Sequence, residues 1–345
     1  MKFAKKLIAT ASGLGVVSFL ALGGYLGGVR PGALEKKSME QYTEDMQPVC
    51  FGRFEMEIPR KSTAWNGQVE YDFAGFEVDE KKKTLAQFNL TVDWKLEELK
   101  KTSGAARAMF HSEETLSPDV RIANEYAGEL IDYFSPIAYV YRDGTTITIK
   151  GADVEKKEDY ERKFKAKLIE LLPRLKALPH NVLPQEAGFC MVGAYIAGPN
   201  QVEGEIADFG IDLKDHDDVT FNVRTTVIDA PRLHPMLVDR EGSIVKQMGT
   251  MMSGVKTLRK RKFQINGQEA QEWSISTRDK EGVSYQFLIE VRGVPKSASQ
   301  PEMDIEMNVV GYGPGGWHAA SLSEGQAMAL WDALLDSIKL RPGAL

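Results

Sequence analysis

The sequence predicts an α+β fold: two tandem domains that look like copies of one unit, each an antiparallel, meander-rich sheet packed with helices, after an N-terminal hydrophobic helix. Three observations lead there. Leu7 to Val29 runs 23 residues without a charged side chain. About 310 residues follow, the length of two domains at the usual ~100–200 residues each. Two spacings then recur. Cys50 stands nine residues before Pro59, and Cys190 nine before Pro199. Leu171-Leu172-Pro-Arg-Leu175-Lys176-Ala-Leu-Pro179 parallels Leu334-Leu335-Asp-Ser-Ile338-Lys339-Leu-Arg-Pro342. Two matches in the same order point to duplication.

The N-terminal segment comes first. As a helix rising ~1.5 Å per residue, Leu7–Val29 would cross the ~30 Å hydrocarbon core of a bilayer. Lys2, Lys5 and Lys6 precede it, and positive flanks stay on the cytoplasmic side, so everything after Val29 is expected outside the cytoplasm. Residues 1–30 therefore read as a membrane anchor, or as a signal peptide cleaved near Ala21-Leu22-Gly23. Arg30-Pro31-Gly32 ends the helix, and residues 31–48 read as a polar linker.

The N-terminal α+β domain is expected over 49–182. Phe54–Ile58 and Val69–Phe73 alternate apolar and polar residues, the mark of half-buried strands. Thr84 to Lys101 has helical character. Asp143-Gly144 sits between strand formers and signals a hairpin. Lys156 to Ala177 is expected to be the closing helix. Pro179, Pro184 and Gly188 mark the boundary. The C-terminal α+β domain, 183–345, repeats the style. Strands are expected at Val219–Val227, at Ile265–Thr277 with an Asn266-Gly267 turn, and at Val283–Val291 and Asp304–Val310. A helix is expected over Arg240–Met252. Ser323 and Gln326 form a capping box, after which Ala327, Trp331, Leu334, Leu335 and Ile338 make one apolar stripe.

Composition narrows function. The whole-chain charge is −6, and the part beyond Val29 is more acidic still. Nucleic acid is thereby disfavoured as a partner. The chain lacks a Gly-x-Ser-x-Gly elbow, a His-Glu-x-x-His pair, a phosphate loop and a dinucleotide fingerprint, and its five histidines are scattered. No cofactor, metal or catalytic residue is therefore assigned. Asp208, Asp212, Asp215, Asp217 and Asp218 surround His216 but lack the Gly and terminal Glu of a calcium loop; a solvated turn is the plainer reading. Cys50 and Cys190 are the two cysteines. Outside the cytoplasm they are disulfide candidates, with two buried thiols at equivalent core positions as the alternative. Two features suit protein recognition. One is the Gly311–His318 loop, whose Tyr312 and Trp317 could anchor an interface or pack on their own domain. The other is the basic run Lys256–Lys262, where Arg259 and Arg261 could grip an acidic partner or simply guard an edge strand.

These residues also carry a resemblance. Cys50-Phe-Gly-Arg-Phe-x-x-x-x-Pro59, Gly188-Phe-Cys-Met, Leu258-Arg-Lys-Arg-Lys-x-x-x-x-Gly267-Gln-Glu269 and the ending Ala329-Leu-Trp-Asp-x-Leu-Leu-x-Ser-Ile-Lys-Leu-Arg-Pro-Gly343 look like the two-domain immunity proteins that guard bacteria against lipase effectors of type VI secretion. The resemblance covers most of 48–345. It implies a non-enzymatic protector in the periplasm, soluble or anchored to the inner membrane through residues 7–29. Such a protector would bind a phospholipase effector and block its lid or active-site mouth. It assigns no contact residues. The alternatives are a non-catalytic envelope-assembly or secretion accessory protein, or a hydrolase with an unfamiliar site.

Overall fold

The computed structural model describes residues 39–101, 109–127, 130–199, 204–249, 254–278, 280, 282–313 and 316–345. The expected hydrophobic helix at 7–29 lies outside these. Among the described residues no helix is long and apolar enough to cross a membrane.

The architecture is mostly antiparallel β, with few helices, which corrects the α+β expectation. The two halves also do not carry separate sheets. Twelve strands form one sheet, in the order β14-β15-β16-β17-β13-β12-β3-β4-β8-β7-β6-β5. The strands of the first half are β3 (Ser62–Tyr71), β4 (Ala74–Asp79), β5 (Phe110–Ser117), β6 (Val120–Ala127), β7 (Leu130–Arg142) and β8 (Thr145–Gly151). Those of the second are β12 (Glu205–Leu213), β13 (His216–Thr226), β14 (Val255–Ile265), β15 (Gln268–Arg278), β16 (Val283–Val291) and β17 (Glu302–Val309). The seam is β3 against β12. Each would otherwise be an open edge with unpaired amides; pairing them joins the halves. Read outward from the seam, the two halves follow the same strand order.

Local chemistry explains the elements. Asp143 and Gly144 turn β7 into β8 at φ 48° and 90°, and Asn266 and Gly267 turn β14 into β15 at φ 50° and 79°, as residues tolerant of left-handed backbone should. Helix α1 (Glu40–Thr43) precedes β1. Helix α2 (Leu85–Lys100) starts at a Thr84–Gln87 capping box. Helix α3 runs α-helical over Lys157–Asp159, π-helical over Tyr160–Lys165 and α-helical again over Ala166–Leu171. It does not reach Ala177, because Pro173 cannot donate a helical hydrogen bond; Leu175–Ala177 is instead a strand, β9. Helix α4 (Glu241–Met248) is shorter than expected, and residues 250–252 lie outside the described residues. Helix α5 (Glu324–Ser337) opens on the Ser323–Gln326 capping box. It buries Ala327, Trp331, Leu334 and Leu335.

The remaining strands form two small sheets that cross between the halves. Hairpin β1 (Met46–Phe51) and β2 (Phe54–Pro59) pairs with β20 (Lys339–Leu340) at the far end of the chain. Hairpin β10 (Gly188–Met191) and β11 (Ala194–Ala197) pairs with β9. Each half thus opens with a hairpin that packs on the other half. Phe51, Phe54 and Ile58 share a core with Phe221, Phe287 and Trp331. Phe189, Met191 and Ile196 share one with Ile147, Ile149 and Leu168. The stretch read as linker is ordered at its end: Met39 and Tyr42 are buried in the first of these cores. The hairpins meet each other. Gly52 bridges Cys190, and Cys50 and Cys190 are disulfide-bonded with Cα atoms 5.7 Å apart. Beside them Arg53, 2% exposed, lies against Glu205, 4% exposed. Its Nη1 donates to Ala344 O at 2.9 Å.

A candidate partner-binding channel

Alternation along the strands divides the large sheet into two faces. Phe221 and Val223 of β13, Ile305 and Met307 of β17 and Ile211 of β12 point into the hairpin-and-α5 core. Their neighbours in sequence point the other way. The register extends this opposite face without a break across the seam: Lys150, Gly75, Glu70, Ile206, Thr226 and Glu302 form one row of directly paired residues.

Two helices sit on that face, one at each end. Phe88, Val92 and Leu96 of α2 pack on Ala123 and Tyr139, and Tyr139 is paired with Thr148 of β8. In the other half, Leu237 and Ile244 of the segment containing α4 pack on Trp273, Ile275 and Leu288. Strands β8, β4, β3, β12, β13 and β17 lie between them; on this face Thr146 and Thr148 of β8 are buried, and Arg232 lies against Glu302 and Asp304 of β17. The result is a channel with a β floor and two helical walls, centred on the seam.

The floor is polar and acidic. Asp208, Asn222 and Arg224 stand together: the Asn222 side-chain amide donates to Asp208, and the Arg224 guanidinium lies 3.9 Å from it. Gln68 accepts from Arg224 at 2.8 Å and donates to Glu70. Glu306 accepts from Gln286 at 3.2 Å and from Asn308 at 2.6 Å. Asp304 lies among Arg232, Glu302, Glu290 and Arg224; burial pushes its carboxyl up to about 6, against the pull of Arg232. Trp65 lies over Gly210, its directly paired residue on β12. A Cβ on Gly210 would sit 2.1 Å from the indole, so only glycine leaves room for that ring. On the α2 wall, burial lowers the Lys95 pKa, and its ammonium lies 4.7 Å from the Tyr139 ring centroid.

The sequence-level candidates fall elsewhere. Arg259 is 9% exposed and bonds Glu272 at 2.7 Å and Asp332 at 2.6 Å. Arg261 bonds the other oxygen of Glu272 at 2.5 Å. Glu272 is fully buried and also accepts from Trp331 Nε1 at 3.0 Å. The basic run is therefore an edge strand, β14, whose arginines neutralise an internal carboxylate. Tyr312 and Trp317 are paired across a short hairpin, β18 (Gly311–Gly313) and β19 (Gly316–His318); both side chains lie outside the described part of the structure. Of the aspartates near His216, Asp218 accepts from the Ser321 amide at 2.7 Å and Asp215 pairs with Lys61 at 2.9 Å. Among the described residues no group of three or more His, Cys, Asp or Glu is arranged to hold a metal. A cavity of about 20 Å³ beside the disulfide, between Cys50, Leu178, Val182, Met191 and Phe209, has room for about one water.

A cleft between two domains is what a two-domain inhibitor suggests, but the residues that line this channel are not legible as a site in the sequence. The aspartates were read as a turn, although Asp208 and Asp212 alternate with Phe209 and Ile211 as a strand requires. Two exposed apolar residues on α2, Leu90 at 68% and Trp94 at 63%, were also passed over. Their signal was their position on the side opposite Phe88, Val92 and Leu96.

Comparison with known proteins now bears on this geometry. Residues 47–178 match the family described as Tle cognate immunity protein 4 N-terminal domain, and residues 182–343 match the corresponding C-terminal domain. The chain belongs to this family. No curated relative matches it. Three solved structures share the fold. The apo immunity protein TplEi of the T6SS from Pseudomonas aeruginosa is 24% identical, with 86% of this chain and 97% of that one covered, at a TM-score of 0.66. The Tle4–Tli4 complex contains a chain 23% identical, with 87% and 99% covered, at 0.69. TplEi complexed with an "L" peptide is 22% identical, with 87% and 99% covered, at 0.64.

Proposed function

We propose that this protein is a periplasmic immunity protein that binds a lipase effector of type VI secretion and inhibits it by occluding its lid or active-site mouth, with the channel as the docking face. The observation that carries this is the match of both halves, in order, to the two domains of a cognate immunity family. The physical form agrees. A stoichiometric inhibitor needs a rigid, shaped surface of at least ~1,600 Å² shared with its partner. A six-stranded floor fixed between helices offers such a surface. The chain performs no catalysis in this reading.

The halves, 49–182 and 183–345, are two copies of one unit; their common strand order and their exchanged opening hairpins support this. Residues 1–30 direct the chain out of the cytoplasm, as anchor or cleaved signal.

The test is co-purification with a candidate phospholipase, followed by a lipase assay at rising molar ratio. Activity should fall linearly and vanish near one equivalent. Unchanged activity with every phospholipase that binds would overturn the proposal. Fractionation of cells should place the protein in the periplasm or inner membrane.

A further inference from the structure

The acids on the channel floor are held unlike those elsewhere on the surface. Outside the channel, carboxylates meet cations: Glu324 pairs with Lys256, Glu241 with Lys260 and Asp239 with Lys262. On the floor, Glu70 and Glu306 are oriented by the side-chain amides of Gln68, Gln286 and Asn308, and Asp208 by that of Asn222 with the Arg224 guanidinium 3.9 Å away. An amide fixes the direction of a carboxylate without cancelling its charge. Asp212, Glu302 and Asp304 add three more acids to the same face, with Arg224 beside Asp208, Arg232 beside Glu302 and Asp304, and Lys150 paired with Glu77. The floor thus carries more carboxylates than cations, with Glu70 and Glu306 held by amides alone among the contacts described, and Trp65 lies at its midline over Gly210.

From this we propose that the floor is a docking surface for an arginine-bearing segment of the partner effector, one guanidinium stacking on Trp65 while others meet Asp208, Glu70 and Glu306. The proposal rests on the immunity reading for its partner but not for its chemistry. Charge complementarity commits the surface to a cationic occupant: an acidic or purely apolar segment would leave the aligned carboxylates desolvated and unpaired. A flat indole framed by carboxylates adds cation–π attraction, which favours arginine. The amide-held acids are in place before the partner arrives, so the ordering cost of binding is reduced.

The test uses the full chain and a fluorescein-labelled peptide of alternating Arg and Gly, with a Glu-Gly peptide as counter-probe. Wild type should bind the Arg peptide, and more weakly as salt rises. Asp208→Asn with Glu306→Gln should weaken it about tenfold, and Trp65→Ala about fivefold with no change of charge. Trp65→Phe should recover part of that loss. A control pair, Glu97→Gln with Glu158→Gln, makes the same charge change outside the channel and should stay within about twofold of wild type. Circular dichroism melts verify that each variant folds. Equal losses in the floor and control pairs would mean only diffuse attraction and would overturn the proposal. So would tight binding of the Glu peptide, or no effect of Trp65→Ala in a folded protein. If a phospholipase is inhibited at one equivalent yet binds the floor variants as well as wild type, the docking proposal falls and the immunity reading stands. If no phospholipase is inhibited, the immunity reading falls and the peptide result still decides the chemistry of the floor.

Discussion

Replacing Cys50 and Cys190 by alanine removes a cross-link between two hairpins that each belong to the core of the opposite half. The bond joins residues 140 apart in sequence. For a loop of that length the chain-entropy relation gives a destabilisation of about 5 kcal/mol at 25 °C, as an upper figure. Both residues are buried, Cys50 at 6% and Cys190 at 0% exposure, so a reductant reaches the bond slowly in the folded state; the double alanine variant is the cleaner perturbation. The assay is urea unfolding followed by tryptophan fluorescence and by far-ultraviolet circular dichroism. The free energy of unfolding should drop by about 3–5 kcal/mol. The two probes should still report one shared transition, because hairpin exchange and the β3–β12 seam couple the halves with or without the bond. A drop below about 1 kcal/mol would refute the entropic argument. Two separated transitions in the wild-type protein would refute the coupling argument, since each half would then be folding on its own.

Other perturbations test neighbouring features. Arg53→Ala leaves Glu205 buried without its partner and should cost about 3–5 kcal/mol in the same unfolding assay; a loss under about 1 kcal/mol would show that water enters freely there. Gly210→Ala forces a methyl into the Trp65 ring and should destabilise by about 1–3 kcal/mol, with a shift in the Trp65 fluorescence read as the difference from a Trp65→Phe background. Asp304 holds its proton more tightly in the folded state, up to about 6 against an ordinary 3.8. Its effect is therefore a fall in stability as pH rises from 3.8 towards 6. Asp304→Asn should remove that component, so the difference between wild-type and variant profiles should change over this window and be flat above it.

Much of the fold could be read from residues alone because the signals were local. The Asp143-Gly144 and Asn266-Gly267 turns, the alternation in Phe54–Ile58 and Val219–Val227, and the Ser323–Gln326 capping box each specify their own structure within a few positions. The paired cysteines and the twin endings are what suggested a repeat. Pairing between distant strands was not legible. Nothing in Ser62–Tyr71 names Glu205–Leu213 as its neighbour, so one sheet of twelve strands was read as two. The hairpin exchange was hidden for the same reason: a hairpin fixes its own turn but not the core its apolar face will enter. The edge strand at Lys256–Lys262 was legible from its charge, but the burial of Arg259 was not, because Glu272, which pairs with Arg259 and Arg261, lies on the next strand. The floor of the channel escaped because its acids come from β3, β12, β13 and β17, and only register gathers them.

The crossing of β1 and β2 to β20 has a consequence for the order of assembly. Translation delivers Met46–Pro59 nearly three hundred residues before Lys339–Leu340, and Arg53 donates to the carbonyl of Ala344 as well as to that of Gly198. The earliest of these strands must wait, apolar face uncovered, until the latest is released. Native structure cannot be completed piecemeal from the leading end of a nascent chain. It closes in one late step, in whichever compartment holds both ends at once.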